Sequence, residues 1–176
     1  MTTIRHIAPA YKPAYIYGGP TFSVSRLCEE LNKTTLSVIV LTTTANGAAE
    51  LDVATNKSIK LANVDIHYCK RITGDHSHFS PALLRKLITI IKKSKASPEH
   101  HLIIHVHSWW NTVAIAAALI AKCYGLPVVV SPRGVLTPYS MTNSSRIPKR
   151  IIHQLISKPL LKRCHIHATT ALEKED

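Results

Sequence analysis

With 176 residues, 45% of them hydrophobic and 18% charged, the chain can bury one substantial core and is too apolar to be a disordered one. Its net charge of +12 points to an anionic partner: a phosphorylated ligand, a phospholipid surface or nucleic acid. The longest apolar run, Val113 to Ala121, is about half of the roughly 18–20 residues that cross a bilayer. The opening Met1-Thr2-Thr3-Ile4-Arg5-His6 has no basic segment followed by an apolar one, so no signal peptide is read and a cytoplasmic protein is expected. Cys28, Cys69, Cys123 and Cys164 are widely spaced with no CxxC, which predicts reduced thiols rather than a disulfide framework or a cysteine zinc site.

Arg5 to Pro9 reads as a short first strand, followed by a loop rich in tyrosine, proline and glycine. Val24, Leu27, Cys28 and Leu31 recur at helical spacing and predict a helix over Thr21–Asn32. The β-branched run within Leu36–Thr42 predicts a buried strand, broken by Asn46-Gly47, and Val64–Cys69 a weaker one. Ser80 is placed to cap a helix that has Pro81 at its first position, with Leu83, Leu84, Leu87, Ile88 and Ile91 on one face and Arg85, Lys86, Lys92 and Lys93 on the other. Leu102–Val106 is a strand, Asn111–Tyr124 an alanine-rich helix stopped by Gly125 and Pro127, and Val128–Val130 a strand. Lys149–Cys164 reads as a basic amphipathic helix interrupted or kinked at Pro159, and His165–Thr169 as the last strand. Strands alternating with helices predict a single α/β domain over residues 1–176, a Rossmann-like three-layer unit with a parallel sheet and helices on both faces. Ligands of such sheets bind at the carboxyl ends of the strands, so the loops there carry the chemistry.

Three of those loops stand out. Gly18-Gly19-Pro20 precedes a helix, where side-chain-free backbone and the helix terminus suit a phosphate, although the same tripeptide also serves as a plain turn. In Ile104-His105-Val106-His107-Ser108-Trp109-Trp110-Asn111 the two histidines share one side of a strand. No third ligand is evident for a metal, so a polar pocket is expected instead, with His107 as hydrogen-bond donor and Trp109 or Trp110 as a stacking surface for a sugar ring. For His105 a hydrogen-bonded core position is an equal reading. Ser131-Pro132-Arg133-Gly134 follows a strand and offers Arg133 beside a glycine to an anionic or hydroxyl-rich ligand. The second histidine pair, in His165-Ile166-His167-Ala168-Thr169-Thr170, reads as an ordinary strand end.

Taken in order, Tyr11-x-Pro13, Gly18-Gly19-Pro20, the His105–Asn111 run, Ser131-Pro132-Arg133-Gly134 and His167-Ala168-Thr169-Thr170-x-x-Glu173 resemble the N-terminal domain of family-four retaining glycosyltransferases of bacterial polysaccharide and lipopolysaccharide synthesis. The resemblance implies one half of a two-domain GT-B enzyme. Gly18 and Gly19 approach the diphosphate of a nucleotide-sugar donor, and His107 sits near the transferred sugar as the catalytic candidate. Trp109, Trp110, Asn111, Arg133 and Gly134 line the acceptor side. It implies no metal and no cofactor beyond the nucleotide sugar as substrate. The glycine-histidine turn usual in such domains before the second strand is replaced by Asn32-Lys33-Thr34-Thr35. The paired-glutamate donor motif has no counterpart here, so the chain alone is expected to fold without transferring sugar, with a separate donor-binding domain as partner.

The alternative from another class is a non-catalytic basic module for anionic membrane lipid or nucleic acid, resting on the charge and on the basic helices around Arg85–Lys95 and Lys149–Arg163. Aromatic residues are few and not interleaved with the basic ones, which argues against nucleic acid. A peripheral position on the inner face of the plasma membrane fits either reading, because a glycan acceptor is often lipid-linked. A dinucleotide-dependent dehydrogenase is excluded by the lack of GxGxxG after the first strand.

Overall fold

The computed structural model describes residues 2–55, 57–97, 99, 101–135 and 153–175. The strands in chain order are β1 (Thr2–Ala8), β2 (Ser37–Thr43), the two-residue β3 (Ala45–Asn46) and β4 (Ala49–Glu50), β5 (Ile59–Leu61), β6 (Val64–Cys69), β7 (His101–His107), β8 (Val128–Ser131) and β9 (His165–Ile166). The helices are α1 (Gly19–Leu31), α2 (Pro81–Lys95), α3 (Thr112–Cys123), α4 (Lys158–Leu161) and α5 (Ala171–Glu175). Seven strands form one sheet in the order β5-β6-β2-β1-β7-β8-β9, parallel throughout except for the β5–β6 hairpin at one edge. The protein therefore has the α/β, Rossmann-like architecture expected from the alternation of elements.

Each face of the sheet carries its own core. Ile7, Leu41, Ile104, Val106, Val128 and Val130 pack with Leu83, Leu87 and Ile91 of α2 and with the alanine face of α3. Ala8, Val38, Val40, Val64, Ile66 and Tyr68 pack with Val24 and Cys28 of α1 on the other face. The strands are apolar on both sides because both sides are covered.

Helix starts follow the sequence closely. Ser80 Oγ accepts from Leu83 N at 3.3 Å and donates to Lys70 O at 2.8 Å, so one fully buried hydroxyl both caps α2 and holds the preceding loop. Ser80→Ala strands both partners and is expected to cost about 1–2 kcal/mol, read as a Tm lowered by several degrees with the far-UV spectrum retained.

Two features depart from the expectations. The hairpin joining β5 to β6 turns on Ala62 and Asn63, both at positive φ (47° and 64°), the pair of conformations a two-residue type I′ turn requires. Neither an Asn-Gly nor an Asp-Gly marks it. The basic amphipathic helix changes winding ahead of Pro159: His153–Ser157 is a π-helical turn that runs directly into α4 at Lys158, with Pro159 in its first turn. Residues 149–152 of that expectation lie outside the described residues. Among the described residues, no helix is long and apolar enough to cross a membrane. All four cysteines are free, Cys28 and Cys69 being buried.

Candidate functional site

From β1 the chain runs outward on one side to β2 and β6, and then returns to the other side of β1 as β7, continuing to β8 and β9. The connections diverge between β1 and β7, and a crevice opens at the carboxyl ends of these two strands. A cavity of about 250 Å3 lies there. Its walls are Ala8, Pro9 and Ala10 after β1; Tyr17, Pro20, Thr21 and Val24 at the start of α1; and His76 and His78 from the loop before α2. His107, Ser108, Trp110 and Asn111 close it from the end of β7, and Arg133 and Val135 from the end of β8.

Gly18 takes φ 61°, ψ −132° as the N-cap of α1, a conformation open essentially to glycine alone. A Cβ built on Gly18 or Gly19 meets nothing within 4 Å. Neither glycine is among the residues lining the cavity, whose wall here is made by their neighbours Tyr17, Pro20 and Thr21. The start of α1 thus lies in the crevice wall, and a helix N-terminus favours negative charge.

Parallel pairing of β1 and β7 sets His6 directly beside His105, and His107 follows two residues on, on the same face. His6 Nδ1 lies 2.8 Å from His107 Nε2. His105 Nε2 lies 2.8 Å from Ser131 Oγ, which lies 2.8 Å from His167 Nδ1. Burial holds His6 and His105 neutral, each pushed down to about 3, with the Arg133 charge adding to the effect on His6 and a neighbouring ring and Arg133 adding to that on His105. His107 is driven well below its ordinary value for the same reasons. His78, with φ 51° and its ring edge-on to Tyr17, is pushed down to about 4 by burial and by Arg71.

Arg133 crosses this cluster. At φ 57° it leaves β8, and its Nη1 donates to Ser23 Oγ of α1 at 2.6 Å. Nη2 stands 3.5 Å from His107 Nδ1, at the limit of a hydrogen bond, and Nε is buried with no partner. A guanidinium only donates, so the His107 Nδ1 facing it bears the lone pair. The His107 proton is then on Nε2, donated to His6 Nδ1, and the His6 proton falls on Nε2, which is buried without a partner.

This geometry revises several expectations. His107 is 1% exposed with both ring nitrogens turned to protein groups, so it does not offer a hydrogen bond to a sugar hydroxyl in this arrangement. Trp109 is fully buried in the core beneath α3 and cannot stack on a ligand. Ser108, at φ 65°, turns the chain so that Trp109 enters the core and Trp110 reaches the cavity. There Trp110 Nε1 donates to Val135 O at 2.6 Å. Asn111 lines the cavity too, but its Oδ1 accepts from Ala114 N at 2.8 Å as the N-cap of α3. The Gly134 N–H donates to Glu173 Oε1 at 2.6 Å and is not presented to the cleft. The other oxygen of Glu173 accepts from Thr169 N and Thr169 Oγ1, so this carboxylate ties the β8 and β9 loops together. Burial opposes the charge on Glu173, yet these bonds and Arg133 hold it below its ordinary range.

The structure also supplies the third imidazole that the β7 pair lacked. His6, His105 and His107 bring ring nitrogens within 4.8 Å of one another, a set able to hold a transition metal. The 2.8 Å separation of His6 and His107 is that of a hydrogen bond; two nitrogens sharing a tetrahedral zinc stand about 3.3 Å apart. As it stands the cluster forms two hydrogen-bonded relays, His6–His107 and His105–Ser131–His167. His6, His76 and His78 escaped sequence reasoning because each is a lone polar residue whose neighbours are fixed only by strand order and loop path.

The family model described as Glycosyl transferase 4-like domain matches residues 18–175. A search of curated proteins found no match. The matched span runs from the glycine turn at the head of α1, through the ends of β7 and β8, to the Glu173 tie, and it covers most of the chain: the protein belongs to the Glycosyl transferase 4-like domain family.

Proposed function

We propose that this chain is the acceptor-side half of a retaining, nucleotide-sugar-dependent glycosyltransferase that builds a cell-surface polysaccharide or glycolipid, and that it works with a donor-binding domain. The observation that carries this reading is the meeting of the α1 N-terminus and Arg133 in one crevice at the switch point of the sheet, in a chain of this family. As a glycosidic bond to a diphosphate breaks, negative charge grows on the leaving oxygens. The free amides at the head of α1 and the unpartnered Nε of Arg133 are the groups suited to receive it. Such neutralisation requires no metal. Trp110 offers the one indole surface in the cavity wall, for the sugar or the acceptor. His107 acts through Arg133 as a positioning residue. Among the described residues, the lining contains no aspartate or glutamate.

The test is transfer by the purified chain with and without a donor-binding domain, across a panel of nucleotide sugars and with a chelator present. The expected result is acceptor binding by the chain alone, no turnover by it, and chelator-resistant turnover once both halves are together. Sustained turnover by residues 1–176 alone overturns the division of labour, and failure of the chain to bind any glycan or glycolipid acceptor overturns the function.

The basic surface supports a peripheral place on an anionic membrane as part of this reading. Leu155 is 73% and Ile156 42% exposed beside a groove shared with Lys122 and Arg163. Sedimentation with anionic vesicles should be measurable at low salt and fall steeply as salt rises, and Leu155→Ser should weaken it several-fold. Equal binding to neutral vesicles counts against it.

A further inference from the structure

At the opposite, amino edge of the sheet the strands and the end of α2 enclose a second cavity, of about 330 Å3. Its floor is a row across three strands: Ser37 of β2 pairs with Thr3 of β1, which pairs with Leu102 of β7. Arg5, two residues beyond Thr3, lies on the same face, and Lys93 and Ser94 of α2 with Ser97 beyond it form the roof. Besides Ile90 and Leu102, the lining is two cations and four hydroxyls, with no carboxylate among the described residues. Two guanidinium nitrogens of Arg5, Nε and Nη1, are buried and have no hydrogen-bond partner.

A guanidinium sunk beside apolar residues without an acceptor is costly, and burial indeed lowers the Arg5 pKa, against a smaller opposing effect of Asp65. Asp65 does not discharge it, because that carboxylate accepts from Ser58 and pairs with Lys60. The C-terminal end of α2 carries partial negative charge, but Lys92, Lys93 and Lys95 in its last turn outweigh it. What would satisfy Arg5 is an oxyanion held by the guanidinium fork, Lys93 and the surrounding hydroxyls.

We propose that this cavity is a second anion site, distinct from the cleft, that takes the phosphate group of a small soluble metabolite. Arg5 and His6 are consecutive on β1 and face opposite sides of the sheet, so an anion on Arg5 sits one residue from the histidine relay.

The experiment is a titration of the whole chain with inorganic phosphate and with pyrophosphate, followed by methyl NMR at Ile90 and Leu102, which line this cavity and not the cleft. Chloride at matched ionic strength is the control. Saturable shifts are expected at both residues, retained in Arg133→Gln, whose change lies in the cleft, and weakened about tenfold or more in Arg5→Gln and Lys93→Gln. Should Arg5→Gln fail to fold, Lys93→Gln, at an exposed position, decides alone. No shift at Ile90 and Leu102, the same shift with chloride, or unchanged affinity in the folded variants overturns the proposal. A shift seen only with anionic vesicles overturns it in favour of a lipid headgroup.

Discussion

Acidification from about pH 7 to about pH 5 should cost this domain about 4 kcal/mol or more of its stability, well above the range where carboxylates titrate. His6 and His105 are held down to about 3 in the fold, His107 well below its ordinary value and His78 at about 4, in each case first by burial. In the unfolded chain all four take up protons near the ordinary imidazole value of about 6.5. Between that value and the folded ones the unfolded state binds more protons, so stability rises with pH and is lost as pH falls. Counting only His6 and His105, each unit of pH below about 6.5 costs about 3 kcal/mol for the pair, or about 4 kcal/mol by pH 5, against a typical domain stability of about 5–15 kcal/mol. Glu50 and Glu173 are both held below the ordinary carboxylate value in the fold, so they lose stability only at lower pH. Urea midpoints followed by circular dichroism across this range give the slope directly. His105→Gln, which can still reach Ser131, should reduce that slope by about one proton. A midpoint that stays flat from pH 7 to pH 5 contradicts the neutral, buried relay.

Much of the architecture was legible because it rests on local signals. Serine and proline at Ser80-Pro81, the alanine run before Gly125 and the β-branched runs of β2 and β8 each name their own element. The carboxyl-edge position of the glycine turn, the β7 end and Arg133 followed from the alternation of strands and helices. What periodicity cannot carry is register and strand order. His6 meets His107 across 101 residues of sequence because β7 returns beside β1, and nothing around either residue announces it. The choice between Trp109 and Trp110 turned on one positive φ at Ser108, a conformation that serine does not advertise. Asn111 and Gly134 looked like ligand contacts by type, but a helix cap and a carboxylate tie already employ the Asn111 carbonyl and the Gly134 amide.

Under the proposed function, removing the Arg133 side chain should cost sugar transfer more than any other single change in the cleft wall. Arg133→Met keeps much of the length and apolar stem but removes the charge and three separate functions of the fork. It deletes the bond to Ser23, which joins the β8 loop to α1 across the cavity. It deletes Nε, the buried donor without a protein partner. It also releases the lone pair of His107 Nδ1, and with it the rule that sets the protons on His107 and His6. Loss of one preorganised donor to a developing anion lowers turnover by about 100- to 1000-fold, and kcat should carry most of the fall because the charge is greatest in the transition state. Arg133→Lys restores charge without the fork and should recover only part. A merely structural arginine predicts a different outcome, a lowered Tm with kcat preserved in the folded fraction. Nitrogen NMR of the imidazoles separates the two independently of catalysis. The wild type should show His107 protonated on Nε2, and Arg133→Met should show that preference lost. Turnover within about threefold of wild type in Arg133→Met, with the His107 tautomer unchanged, would remove Arg133 from the mechanism.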